Sequence, residues 1–175
     1  MRRTGTTRRG VFTATGAIAL GAVLAGCGDG AGRGKDSARS GAAAKAEQAS
    51  AARAEKRIRT TAARTSLELL GGYEHVIRAH PATAAGLTPL RDAVRAHAKA
   101  LAPDGAQALG FTRSRASGAK AAVGELAAAE RRAADAHLAA LMEAPPELAR
   151  LLASIAAAGA AHAYLLTELA KETSS

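Results

Sequence analysis

Long stretches of helical periodicity, interrupted by proline at a few points, are the feature that most constrains this fold. Through the first stretch, apolar or small residues recur at spacings of three and four: Ile58, Ala62, Thr65, Leu69, Tyr73 and Val76. This spacing places side chains on one face of an α-helix. Alanine, the strongest helix former, is abundant, and aromatic residues make up only 2% of the chain. The sequence therefore predicts an all-α fold.

The prolines divide the second part of the chain into four predicted helices. They run from about Glu47 to Ala79, from Thr88 to the residue before Pro103, from about Arg115 to Glu143, and from Pro146 to about Glu172. His80-Pro81 closes the first, and Thr88-Pro89 resembles a helix start. Short connections favour antiparallel neighbours. Residues 46–175 are therefore predicted to form an up-down-up-down four-helix bundle.

The first 26 residues have the three parts of a signal peptide. Arg2 to Arg9 form a basic region without acids, and Val11 to Ala25 form an apolar stretch of 15 residues. That stretch is shorter than the roughly 20 residues that a membrane-spanning helix needs. We therefore expect an exported protein.

Leu24-Ala25-Gly26-Cys27 follows the apolar stretch and resembles the bacterial lipobox. The resemblance implies transfer of a diacylglycerol group to Cys27, which becomes the first mature residue after cleavage. Two or more acyl chains, such as palmitate, give a stable anchor where one gives only marginal binding. This implies a lipoprotein on the extracytoplasmic face of the cell membrane. Cys27 is the single cysteine, so no intramolecular disulfide can form.

Thr7-Arg8-Arg9-Gly10-Val11-Phe12 resembles a twin-arginine export signal, with Arg8 and Arg9 as the signal residues. The alternative is that the two arginines only belong to the basic region of a general export signal. Both routes stay open at this stage.

The net charge of +9 is unevenly distributed. Residues 1–27 account for +4, residues 28–45 for +2 and residues 46–175 for +3. Acids interspersed among the bases of the domain argue against a nucleic-acid partner. Residues 27–45 contain no large apolar side chain, so we expect the lipidated cysteine and a flexible tether there. Basic residues close to the anchor favour an anionic lipid surface.

Several polar residues share the apolar stripes of their predicted helices, namely Tyr73, His97, Glu130, His137 and His162. A buried polar group without a partner costs roughly 1–3 kcal/mol, so we expect these residues to contact one another. If the prolines at positions 81, 89 and 145 lie at one end, the helical rise predicts two layers. One would hold Tyr73, His97 and His137, and the other Glu130 and His162.

Two interpretations of these residues stay open. Imidazole and carboxylate groups from facing helices can bind a transition metal ion, here a zinc or copper ion at His97 and His137. They can equally form a buried hydrogen-bonded network that fixes helix register and needs no cofactor.

With the helices placed, the chain resembles the ferritin-like lipoproteins of GC-rich bacteria, a family of exported four-helix domains. The lipobox, Leu70 to Tyr73 before His80-Pro81, Leu90-Arg91 with His97, Glu130, and Ala156 to Leu166 with His162 carry the resemblance. It covers about residues 46–172 and implies a ferritin-like bundle. The chain departs from metal-active ferritin-like proteins because it lacks the repeated Glu-x-x-His motif.

No nucleophile elbow or phosphate-binding loop accompanies these features. The sequence therefore favours a membrane-anchored, non-enzymatic interaction module with a cell-envelope protein as partner. The alternative is a degenerate ferritin-like domain with a metal-binding or redox role. A carrier of a small ligand in the bundle interior is a third interpretation, although alanine-rich seams leave little room for one.

Overall fold

The computed structural model describes residues 34–102 and 118–173, which form four α-helices and one short 3-10 turn. The helices are α1 (Gly34–Ala79), α2 (Ala84–Leu101), α3 (Ala119–Leu141) and α4 (Pro146–Glu172), and the turn is Pro81–Thr83. No strand occurs in these two ranges, which confirms the predicted all-α class. The described residues from Ser40 onward belong to one compact unit. The predicted signal residues Arg8 and Arg9 and the predicted lipidation site Cys27 lie outside the described residues.

Proline sets the helix boundaries that the sequence predicts most closely. Helix α1 ends at Ala79, as predicted, because the residue before Pro81 is driven out of helical geometry. Helix α4 begins at Pro146, whose fixed φ and missing N–H suit the first helical position. It ends at Glu172, also as predicted.

Three boundaries differ from the predictions. Helix α1 begins at Gly34 rather than near Glu47, because alanine, lysine and arginine are strong helix formers. Part of the segment predicted as tether is therefore helical. Helix α2 begins at Ala84, so that Pro89 lies inside it rather than at its start. Helix α3 is shorter than predicted at both ends, covering Ala119–Leu141.

The apolar core consists of two clusters, and every helix contributes to both. The first cluster contains Leu69, Tyr73 and Val76 of α1, Leu87 and Val94 of α2, Val123 and Leu126 of α3, and Leu166 of α4. The second contains Ala62 and Ala63 of α1, Leu101 of α2, and Leu148, Leu152 and Ile155 of α4, with Leu141 of α3 packed against it. Buried aliphatic side chains of this kind each contribute about 1.5–3 kcal/mol.

The order in which each helix meets the clusters gives its direction. Helix α2 starts in the first cluster at Leu87 and ends in the second at Leu101, and α3 likewise runs from Val123 to Leu141. Helices α1 and α4 run the opposite way. Helices α2 and α3 are therefore parallel, and the predicted up-down-up-down order is wrong on this point.

The length of the α2–α3 connection explains this difference. Fifteen residues separate Ala102 from Gly118, and a chain of that length can reach up to about 50 Å. Helix α2, with 18 residues, is only about 27 Å long. The connection is thus long enough to return to the end at which α2 began.

Helix α4 has the length and composition that would let it cross a membrane, alone among the described helices. A single helix of this kind is weak evidence for a membrane span, because the core helix of a globular domain can have the same length and composition. Here α4 supplies Leu148, Leu152 and Leu166 to the core.

Two helical glycines allow a matched test of close packing. A Cβ atom at Gly159 would lie 3.3 Å from the Cβ of Ala134 and 3.3 Å from Oε2 of Glu130, whereas a Cβ at Gly124 would meet nothing within 4 Å. We expect Gly124→Ala to raise the free energy of unfolding by about 0.5–1 kcal/mol through helix propensity. We expect Gly159→Ala to lower it by about 1–2 kcal/mol, since Ala134 is fixed to a neighbouring backbone. Urea denaturation measures both, and equal stabilisation by the two variants would contradict the close approach of α3 and α4.

Candidate functional site

The carboxylate of Glu130, in the middle of α3, is the centre of a buried polar cluster. Its side chain is 1% exposed. The hydroxyl of Tyr73 on α1 donates a hydrogen bond to Oε1 at 2.7 Å. Nδ1 of His162 on α4 lies 3.0 Å from the same oxygen. An ionised carboxylate only accepts hydrogen bonds, so the His162 tautomer with a proton on Nδ1 fits this contact. Three helices therefore meet at one oxygen atom.

His97 on α2 extends the cluster to the fourth helix. Its ring stacks on that of His162, with centroids 6.2 Å apart and an angle of 16° between the planes. His97 also lines a cavity of about 10 Å³, together with Ser66, Glu130 and His137. Such a cavity is at the lower limit of the space that one water molecule occupies.

His137, two helical turns further along the same face of α3, has its own partner. Its Nε2 lies 3.3 Å from Oγ of Ser66 on α1, and both side chains are buried. Ser66 was not among the residues expected here. It lies four residues after Ala62 and three before Leu69, so the helical spacing contains the signal, although Thr65 was assigned to the stripe instead.

The structure brings all five predicted polar residues into one region. The predicted pairing of Glu130 with His162 is present, at 3.0 Å, but the predicted layer of Tyr73, His97 and His137 is not. Tyr73 contacts Glu130 rather than His97 and His137, and His162 stacks on His97. The predicted layers assumed that Pro145 lies at the same end as Pro81. Because α3 runs parallel to α2, Pro145 lies at the opposite end.

The cluster occupies the middle of the helices, between the two apolar clusters. Along α2, His97 comes between Val94 of the first cluster and Leu101 of the second. Along α4, His162 comes between Leu166 and Ile155 in the same way. Apolar layers on both sides thus keep the polar groups away from water.

This environment shifts the ionisation of several groups. Burial, with the nearby His162 second, lowers the pKa of His97, although Glu130 acts in the opposite direction. Burial, with His97 second, likewise lowers the pKa of His137. Burial and then the charge of Glu130 raise the pKa of Tyr73 far above its usual range. The two histidines therefore favour the neutral form, and Tyr73 remains a hydrogen-bond donor.

The geometry gives a metal ion few ligands. Within residues 34–102 and 118–173, no group of three or more His, Cys, Asp or Glu side chains is arranged to hold one. In this arrangement the residues do not fit a three-ligand site.

Comparison with known proteins gives no further assignment, because no protein-family model, no curated protein and no solved structure matches the chain.

The two tyrosines of the chain provide a matched test of the Glu130 contact. Tyr73→Phe leaves a buried carboxylate with one partner fewer, and we expect the free energy of unfolding to fall by about 1.5–3 kcal/mol. The control is Tyr164→Phe, at a residue that is 64% exposed, for which we expect a change within about 0.5 kcal/mol. If denaturant titration gives the same small change for both variants, the hydroxyl of Tyr73 does not stabilise the core.

The lowered pKa values of His97 and His137 predict a loss of stability in mild acid. Between the ordinary histidine value of about 6.5 and the lower folded value, the unfolded chain binds more protons than the folded one. Stability is therefore complete above about pH 6.5 and falls below it, by at most about 1.4 kcal/mol per pH unit for each histidine. Urea denaturation between about pH 7 and pH 5 measures the slope, and exchange of both residues for glutamine should flatten it.

The matched control for this slope is His75→Gln, at a half-buried residue outside the cluster. It should keep the acid slope of the unchanged protein. If the slope disappears in the His75→Gln variant and persists in the variant at His97 and His137, the cluster is not the source of the acid sensitivity.

Proposed function

We propose that the protein is a lipid-anchored, extracytoplasmic helical domain without enzymatic activity of its own, which acts by contact with a cell-envelope partner. The observation that carries the proposal is the sequence Leu24-Ala25-Gly26-Cys27 directly after an apolar stretch that is too short to span a membrane. Acyl chains on Cys27 hold the domain at the extracytoplasmic face of the cell membrane. Arg8 and Arg9 would direct its export through the twin-arginine route.

We also propose that the domain has the ferritin-like arrangement of four helices. Ferritin-like bundles contain one long crossover connection, whereas simple up-and-down bundles have only short ones. The parallel directions of α2 and α3 and the long connection between Ala102 and Gly118 support this arrangement.

The buried polar cluster supports a structural role more than a catalytic one. Catalytic groups must reach a substrate, but Glu130 and His137 are 1% and 2% exposed. Glu130 already accepts hydrogen bonds from Tyr73 and His162. The cluster thus satisfies its own members and ties the four helices together.

The exterior supports a contact role. Four large apolar side chains of the described domain are exposed: Leu138 on α3, Met142 directly after α3, and Tyr164 and Leu165 on α4. Leu138 and Met142 lie four residues apart, and Tyr164 and Leu165 are consecutive, so each pair offers apolar surface that a partner can cover.

The anchor is tested by Cys27→Ser in the cells that export the protein. We expect the unchanged protein in the membrane fraction, with an acylated cysteine at its N-terminus by mass spectrometry. The serine variant should lose the acyl group, because no sulfur is present to accept lipid, and high salt should then release it from the membrane fraction, whereas the acylated protein should stay there. If the wild-type protein carries no acyl group and its N-terminus is a residue other than Cys27, the proposal is wrong.

A metal-binding or redox role for a degenerate ferritin-like domain is the second candidate. It is favoured by the cavity of about 10 Å³ that His97, His137 and Glu130 line together. Thermal melting with a chelator, with zinc and with copper separates the two candidates, because an ion that binds the native state raises its melting temperature. The first candidate predicts no shift. A rise of several degrees that disappears with His97→Gln would replace it by the second.

A further inference from the structure

Helix α1 separates its charges between two faces. Between residues 41 and 67 it has six basic and two acidic side chains. At about 100° per residue, five of the six bases fall within an arc of about 120°. We call these residues the basic face of α1: Lys45, Arg53, Lys56, Arg57 and Arg64. Both acids, Glu47 and Glu55, fall on the far side of the helix from the centre of this arc.

The basic face is open to solvent. All five of its side chains are exposed. None of them forms an ion pair with another described residue. Arg59, the remaining base, pairs instead with Glu55 at 3.0 Å. The positive charge of the face is therefore not neutralised by this part of the chain.

The charge is also confined to this helix. The other described residues, 68–102 and 118–173, carry nine basic and ten acidic side chains. A general excess of positive charge thus does not explain the basic face, which is a local feature of the part of α1 that precedes Leu69.

We propose that the basic face of α1 binds an anionic lipid surface. The choice of a lipid surface rests on the proposed anchor, since Cys27 lies only seven residues before the first residue of α1. Lysine and arginine close to anionic headgroups each strengthen binding by about fivefold. Charge complementarity and the neighbouring anchor therefore favour the same partner.

The binding is electrostatic and peripheral. Residues 41–57 contain no large apolar side chain, so this part of α1 has nothing to insert among acyl chains. Added salt should consequently weaken the interaction, because it screens exposed charges.

The test uses the chain from residue 27 onward, which is the mature form under the proposed anchor, with Cys27→Ser, so that neither the signal peptide nor an acyl group contributes. Its binding to phosphatidylcholine vesicles with and without phosphatidylglycerol is measured by co-sedimentation at low and high salt. The basic-face variant replaces Lys45, Arg53, Lys56 and Arg57 by glutamine, which preserves helix propensity. The control variant removes the same charge from other exposed positions: Arg78, Lys99, Lys120 and Arg132.

We expect the Cys27→Ser chain to bind only the anionic vesicles, and to do so less tightly at high salt. The basic-face variant should bind anionic vesicles at least about 100-fold more weakly than the parent chain. The affinity of the control variant should stay within about fivefold of that of the parent chain. Equal losses in the two variants would overturn the proposal, because they would reflect net charge alone. Binding to duplex DNA as tight as to anionic vesicles would overturn it as well.

This experiment does not depend on the outcome for Cys27. If mass spectrometry finds no acyl group but the basic-face variant alone loses vesicle binding, the anchor fails and the lipid-binding face stands. If acylation is found but the three chains bind vesicles equally, the anchor stands and the lipid-binding face fails.

Discussion

A carboxylate held out of water between four helices is the constraint on which this structure depends. Glu130 is 1% exposed, and an isolated charge in such a place is costly unless hydrogen bonds compensate it. Tyr73 and His162 supply those bonds from two other helices. Both contacts form only when α1, α3 and α4 have one particular register, because a shift of one residue turns a side chain by about 100°. Glu130 therefore favours this one register of the three helices.

Small residues make this arrangement physically accessible. A Cβ atom at Gly159 would lie only 3.3 Å from Oε2 of Glu130 and 3.3 Å from the Cβ of Ala134, so glycine makes the close approach of α4 to α3 possible without strain. The alanine-rich seam thus serves a purpose besides helix propensity, since it lets α3 and α4 approach closely enough for His162 to reach Glu130. The same close packing leaves only a cavity of about 10 Å³ beside the cluster, which argues against a small-ligand carrier.

Local sequence signals predicted the helices and the inward side chains well, because both depend on local geometry. The end of α1 at Ala79 and the start of α4 at Pro146 follow from proline, and the inward position of Glu130 follows from helical phase. The direction of α3 could not be predicted in the same way. A connection of 15 residues can either turn back locally or cross the bundle. The predicted contact of Tyr73 with His97 and His137 depended on that direction, so it was wrong for the same reason. The predicted pairing of Glu130 with His162 did not depend on it, because the two residues lie at similar distances from the short turn between α3 and α4.

The role of Ser66 and the start of α1 were missed for different reasons. A serine on an apolar stripe has no distinctive signal, because its hydroxyl can bond to its own helix backbone as readily as to a distant partner such as His137. The residues from Gly34 onward are polar and small, a composition shared by linkers and by exposed helices. A linker and an exposed helix differ here only in the balance of propensities. Alanine, lysine and arginine favour a helix, glycine and serine oppose one, and the pattern of apolar residues gives no further signal.

The two faces of α1 overlap in sequence, and this overlap has a consequence for the proposed lipid contact. Ala62 and Ala63 are buried in the second apolar cluster, while Arg57 and Arg64, on either side of them, belong to the basic face. The helix cannot leave the bundle to reach a lipid surface without exposing that cluster. The proposed contact would therefore be made by the folded domain, with the core face of α1 turned away from the lipid. A lipid surface that draws on the basic face would then stabilise the bundle, since an unfolded α1 does not hold its cations within one arc.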